Sequence, residues 1–233
     1  TELQDYLAAL RDGDITVARK PQYVDRIPKR FEGNTRALLE RTDERGVLED
    51  LAERLDVATV LDQGIETLSG GELQRVALIA ALARDADFYF LDEITPYLDI
   101  SQRVAAARLI RELAEEGDRS MLVVEHDLAI LDLLADTVHV AYGEPGAFGV
   151  VTAPKSTRNG NNEYLAGYLQ AENMRIRPEA IAFERHAPRP VTGGRTLVEY
   201  PDLVASYGET EFSLEVEAGA IREDEVLGVV GPN

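Results

Sequence analysis

Cysteine is absent from the 233 residues, so this stretch carries neither a disulfide framework nor thiolate metal ligands. Lysine is almost as scarce: Lys20, Lys29 and Lys155 are the only three, and arginine supplies the remaining basic charge. Acidic residues outnumber basic ones 43 to 24, a formal charge of -19 that argues against a generic binder of free DNA. Acid excess with little lysine matches the composition of halophilic, salt-loaded cells, although an acidic protein from a GC-rich genome has the same look. No apolar run approaches the roughly 20 residues that span a bilayer, and no signal peptide opens the chain. No initiator Met opens it either: Thr1-Glu2-Leu3-Gln4 reads as helix interior, which predicts a piece of a longer protein. With 45% hydrophobic and 29% charged residues, the expectation is a globular, cytoplasmic chain with no membrane partner.

What is present is organised around Leu68 to Asp99. Ser69 with Glu72 three residues later forms a capping box, and Gly70 and Gly71 leave no side chain over the first N–H groups. Such a helix start, with free donors and a positive dipole end, is suited to a phosphate. The apolar run Phe88 to Leu91 reads as a strand buried on both faces, ending in the carboxylates Asp92 and Glu93. Singly, each feature is more often an ordinary cap or a charged loop. Together they point to nucleotide chemistry.

The flanking sequence reads as alternating helices and strands. Residues 1–12 have helical spacing, the two prolines of 20–29 keep that segment extended or loop-like, and Gly46 divides two helices within 35–55. Asp99 with Gln102 repeats the capping pattern ahead of a helix from Ile100 to Glu116. Met121–Val124 is a second strand, Leu128–Ala135 a helix and Thr137–Tyr142 a third strand, a pattern that indicates a parallel α/β sheet. A hairpin is expected around Val150–Thr152, and residues 156–195 read as a connector with a short helix near Tyr164. From Thr196 the pattern turns strand-like, and Val226–Val230 reads as an apolar strand before Gly231-Pro232-Asn233, the opening of a phosphate loop.

Leu68-Ser69-Gly70-Gly71-Glu72-Leu73-Gln74-Arg75 resembles the signature motif of ABC-type ATPases, and Phe88 to Glu93 resembles their Walker B strand. Glu93 stands 24 residues after Ser69, and His126, 33 residues further on, resembles the switch histidine. Leu98-Asp99 matches the D-loop, and Gln22 sits where the Q-loop glutamine belongs. The segments Lys20–Asp25, Val124–Leu128, Tyr142–Thr152 and Glu172–Arg177 closely resemble the E subfamily of ABC proteins, the RNase L inhibitor family of twin ATPases in ribosome recycling. One departure stands at the site: the family usually has proline after the glutamate, where this chain has Ile94.

The resemblance implies an α/β fold: an ABC-type P-loop nucleotide-binding domain, with a parallel sheet core and helical subdomain. A hinge and the antiparallel-strand start of a second such domain follow. The expected boundaries are 1–155, 156–195 and 196–233. It also implies ATP and Mg²⁺ as ligands, with iron–sulfur clusters only in an N-terminal domain absent from this chain. Asp92 and Gln22 would attend the metal, and Glu93 and His126 the water and γ-phosphate. Leu68, Ser69, Gly70, Gly71, Glu72 and Asp99 would face the nucleotide of the opposite domain. Tyr207, in competition with Tyr200, would stack on adenine, and Gly231 and Asn233 would open the second phosphate loop. The implied partners are the small ribosomal subunit and an archaeal or eukaryotic-type release factor. A transporter ATPase subunit and a non-catalytic ribosome-binding scaffold are the alternatives.

Overall fold

Three strands form the sheet that positions everything else: β1 (Val17–Lys20), β2 (Phe88–Asp92) and β3 (Ser120–Val124). They are parallel and lie in chain order, with Val17 opposite Phe88, Lys20 opposite Leu91 and Asp92 opposite Val124. The computed structural model describes residue 13 and residues 15–117, 119–183, 194–206, 213–223 and 225–231. The expected helix over 1–12 lies outside these described residues. The chain divides into two compact units, with the break after Ile181.

In the first unit, α1 (Thr35–Glu40) and α2 (Leu48–Arg54) flank Gly46, as expected. Asn34 caps α1 by accepting the Ala37 N–H, while Asp43 accepts the N–H groups of Val47 and Leu48 ahead of α2. Both pack on α3 (Gly70–Leu82), which is buried almost all round. A helix apolar on every side belongs in a core, and Val76, Leu78, Ile79 and Leu82 are each at most 2% exposed. Arg75 is the exception that proves satisfiable: its guanidinium donates to the carbonyls of Leu55 and Asp56 at 2.9 and 2.8 Å and pairs with the Asp56 carboxylate. The chain then runs through β2, α4 (Ile100–Glu115), β3 and α5 (Leu128–Leu134), each where the sequence places it.

Two expectations change. Phe88 to Leu91 is not buried on both faces: Tyr89 and Leu91 are sealed against the helices, whereas Phe88 and Phe90 are half-buried. On that second face Val17, Leu122 and Val124 are also exposed, and the Arg19 guanidinium stands 5.6 Å from the Phe90 ring. Thr137–Tyr142 is not a third parallel strand. It splits into β4 (Thr137–Val138) and the start of β5 (Ala141–Glu144), two steps of an antiparallel arm that pairs with β7 (Lys155–Ser156) and β6 (Phe148–Val151). At the break Thr152 bonds across the arm, its hydroxyl accepting the Val140 N–H and its own N–H donating to the Val140 carbonyl. The turn Pro145-Gly146 closes this hairpin, as the punctuation predicts.

The helix expected near Tyr164 is α6 (Thr157–Ala166), ended by Gly167 at φ +72, a left-handed cap that glycine adopts without strain. Beyond it, β8 (Tyr168–Leu169) and β9 (Met174–Arg175) form a small hairpin. Lys155 ties this region together through Glu163 at 3.1 Å and Glu172 at 2.9 Å, and the Arg177 guanidinium donates to the carbonyls of Tyr164 and Leu165. Residues 156–181 thus pack within the first unit.

The second unit is made of antiparallel strands. β10 (Thr196–Tyr200) pairs with β13 (Gly219–Arg222), and β11 (Leu203–Ser206) pairs with β12 (Ser213–Val216). Val226–Val230, expected as a strand, is not one. These residues have no ladder among the described residues, and Val226, Val229 and Val230 are more than 90% exposed. A strand exists only by pairing, however apolar its side chains.

Candidate functional site

The carboxyl ends of the three parallel strands bring together four of the predicted residues. Gln22 follows β1, Asp92 ends β2, Glu93 follows it, and His126 stands two residues beyond β3. This is where an open parallel sheet collects its ligands. The Gln22 amide donates to Oε1 of Glu93 at 2.7 Å, and Nε2 of His126 lies 3.5 Å from that same oxygen. The Glu93 side chain is 21% exposed while that of His126 is 77% exposed, so the imidazole is the outward member of the pair.

Glu93 has φ +50, a left-handed backbone that a glutamate does not adopt without cost. Its main chain is held on every side. Its N–H donates to the Val124 carbonyl at 2.8 Å, and its own carbonyl accepts from Lys20 Nζ at 2.5 Å and from the Gln74 amide at 2.6 Å. Lys20 also donates to the Asp92 carbonyl at 2.8 Å. Burial pushes the Lys20 ammonium down to a pKa of about 8, against the opposing pull of the Asp92, Glu93 and Glu125 carboxylates. Oε1 of Gln74 is buried without a hydrogen-bond partner among the described residues.

Lys20, Gln74 and Glu125 were not foreseen as site residues. Glu125 accepts from the N–H groups of Ile94, Thr95, His126 and Asp127 and from the Thr95 hydroxyl. Their local signal was slight: a lysine before Pro21, a glutamine inside an apolar helix and an acid beside His126. All act across 19 or more residues of chain, except for the bonds that Glu125 makes to its own neighbours.

The predicted signature residues form a separate cluster at the start of α3. Ser69 is the N-cap: its hydroxyl accepts the Glu72 N–H, and the Glu72 carboxylate accepts the Ser69 N–H at 2.7 Å. Leu68 is buried just before the cap. The glycines do not simply leave the helix start open. A Cβ on Gly70 would stand 3.1 Å from the Tyr97 ring, and one on Gly71 would stand 3.0 Å from the Tyr97 carbonyl oxygen. Tyr97 itself has φ +65. Asp99 caps α4, accepting the Gln102 N–H at 2.9 Å in the expected box. Arg103 then joins loops, donating to the Leu98 carbonyl at 2.8 Å and pairing with Asp127, the cap of α5, at 3.1 Å.

In the second unit Gly231 is described as exposed coil. Tyr200 lies over Gly219, its opposite number on β13, where a Cβ would meet the phenol at 2.5 Å. Tyr207 and Asn233 lie outside the described residues.

Chemically, the strand-end cluster offers an oriented carboxylate with a donor on one side and an imidazole on the other. That set can accept a proton from water and organise it beside an anion. The ABC transporter family model matches residues 10–96. The whole chain is similar to an uncharacterised ABC transporter ATP-binding protein of Methanocaldococcus jannaschii, at 46% identity over 38% of that protein. It also matches two solved structures in full, each at 54% identity. One is a crystal structure of archaeal ribosomal stalk protein aP1 with archaeal ribosome recycling factor aABCE1, with a TM-score of 0.85 over 44% of that chain. The other is a model of ribosome-bound archaeal Pelota and ABCE1, with a TM-score of 0.91 over 39% of that chain. The chain therefore spans less than half the length of these relatives. Over its whole length the chain is thus similar to ABC proteins of the E subfamily and RNase L inhibitor kind, archaeal ABCE1 among them.

Proposed function

We propose that this chain is part of a twin-domain ATPase that couples ATP hydrolysis to the splitting of ribosomal subunits in the cytoplasm. The observation that carries this reading is the convergence of Gln22 and His126 on a single oxygen of Glu93. Glu93 takes the proton of the attacking water, and His126, on the exposed side, faces the γ-phosphate. Gln22 links the metal or the water to the ribosome-facing region.

Among the described residues no group of three or more His, Cys, Asp or Glu could enclose a metal by itself. A single strand-end carboxylate, Asp92, with Gln22 just past the end of the neighbouring strand β1, fits Mg²⁺, which binds through one or two protein oxygens plus phosphate and water. Asp92 and Gln22 would hold the ion, which would supply charge neutralisation for the nucleotide's phosphates.

Leu68, Ser69, Gly70, Gly71 and Glu72 serve a different nucleotide, the one held by the second domain, with Asp99 beside them. In that domain Tyr207, Gly231 and Asn233 are the proposed contacts to adenine and phosphate. Each site then takes residues from both domains, and residues 1–233 alone hydrolyse no ATP. The small ribosomal subunit and an archaeal or eukaryotic-type release factor are the proposed partners, a reading supported by similarity to proteins seen with a ribosomal stalk protein and on the ribosome with Pelota. Iron–sulfur clusters are expected in a further domain of the whole protein.

The test is sedimentation of ribosomes incubated with the full-length protein and ATP. Subunits should separate with the parent protein and remain joined with Glu93→Gln, which should still bind ATP and the ribosome. Splitting by the Glu93→Gln protein at the parental rate, over repeated turnovers, would sink the reading.

A further inference from the structure

Glu125 sits among the strand-end loops with its carboxylate turned to main-chain N–H groups of two of them. Its Oε2 accepts the N–H groups of Ile94 and Thr95, both at 3.1 Å. Its Oε1 accepts the Thr95 hydroxyl at 2.9 Å, the His126 N–H at 2.7 Å and the Asp127 N–H at 3.1 Å. Five donors on one carboxylate exceed its roughly four lone-pair sites, so at least one site is shared. These donors belong to two loops about 30 residues apart, one carrying Glu93 and the other carrying His126. Ile94 contributes an N–H that a proline could not supply there.

We propose that Glu125 is a positioning residue of hydrolysis, clamping the backbone after Glu93 to the backbone of His126 so that carboxylate and imidazole meet at one place. The inference rests on the ATPase reading above and deepens it. Charge-assisted hydrogen bonds to main-chain N–H groups are strong and directional, and a displacement of about 1 Å in such a site can cost on the order of a hundredfold in rate. An ordinary loop cap would need only one of the two loops.

Glu125→Gln is the sharp variant because it keeps the volume and reverses the hydrogen bonding of one oxygen. Whichever way the amide turns, at least two main-chain N–H groups then face an NH₂ group. In the full-length protein we expect kcat for ATP to fall about tenfold or more while KM stays within about twofold, the pattern of a lost transition-state arrangement. In a His126→Ala background the same change should cost little more, since the partner to be aligned is gone. Thr95→Val, which removes a single donor, should lower kcat about threefold and serves if Glu125→Gln does not fold.

A Glu125→Gln protein that keeps kcat within about twofold, or losses that multiply fully with His126→Ala, would overturn the proposal. Unchanged kcat in Thr95→Val would do the same where Glu125→Gln fails to fold. If the parent shows no ATPase sensitive to Glu93→Gln, the proposed function falls and takes this inference with it. If that sensitive activity is present and Glu125→Gln retains it, only the clamp falls.

Discussion

Gly71 and Tyr97 are in contact across 26 residues of chain, so closely that a Cβ on the glycine would stand 3.0 Å from the tyrosine's carbonyl oxygen. The neighbouring Gly70 lies against the Tyr97 ring in the same way, at 3.1 Å from its position for a Cβ. The start of α3 and the loop ahead of α4 are therefore packed directly against each other. In the proposed arrangement this packed pair presents Ser69 and Asp99 to the opposite domain together.

Gly71→Ala should consequently cost more than Gly70→Ala. The first pushes against main chain that cannot turn aside, at a cost of about 1–3 kcal/mol typical of overpacking. The second pushes against a side-chain ring rather than main chain, on a residue that is 62% exposed. Urea or thermal unfolding of the two variants checks the order. Equal stabilities, or the reverse order, would contradict the rigid contact.

The Gln22 bond to Glu93 predicts a rate effect separate from binding. Gln22→Ala removes the donor at 2.7 Å and should lower kcat of the full-length ATPase by about tenfold with a smaller change in ATP affinity. Gln22→Glu places a second carboxylate against the first. Like charges favour protonation, so the acid limb of the pH–rate profile should move upward by about one unit. A profile identical to the parent's would show that the two side chains do not meet during turnover.

Lys20 predicts a dependence of stability on alkaline pH. Its folded-state pKa is about 8 and its ordinary value is 10.5. Between these values the unfolded chain binds the proton more tightly, so stability rises with pH across that window, and the penalty is present in full below it. The gain is no more than about 3 kcal/mol. Unfolding of the parent should become harder between about pH 8 and 10 relative to Lys20→Met, which lacks the titrating group. Parallel curves for the two proteins over that range would disprove it.

The local grammar of helix ends was legible in the sequence. Ser69 with Glu72 and Asp99 with Gln102 form the boxes that their spacing implies, because a cap and its partner lie within one turn. Gln22, Asp92, Glu93 and His126 meet because motif order placed each at a strand end. The glycines were harder to read: an absent side chain leaves room, but the sequence does not say that Tyr97 fills it. Thr137–Tyr142 looked like one strand because its apolar content cannot reveal that Thr152 interrupts the ladder at Val140. Val226–Val230 shows the opposite failure, a strand composition with no ladder among the described residues. Lys20, Gln74 and Glu125 are not legible because their partners, the Thr95 hydroxyl apart, are main-chain groups, which carry no letter in a sequence.

The left-handed turn at Glu93 has one more consequence. A side chain on a relaxed backbone chooses its direction by rotamer, and a neighbour can redirect it cheaply. Here the heading of the carboxylate is built into the peptide itself, at a φ that would relax if Lys20, Gln74 and the Val124 carbonyl let go. The residue is cocked rather than parked. Any motion that draws β1 or α3 away from the end of β2 would loosen that grip and turn the carboxylate aside, so in the proposed mechanism such a motion disarms hydrolysis without removing a reacting group.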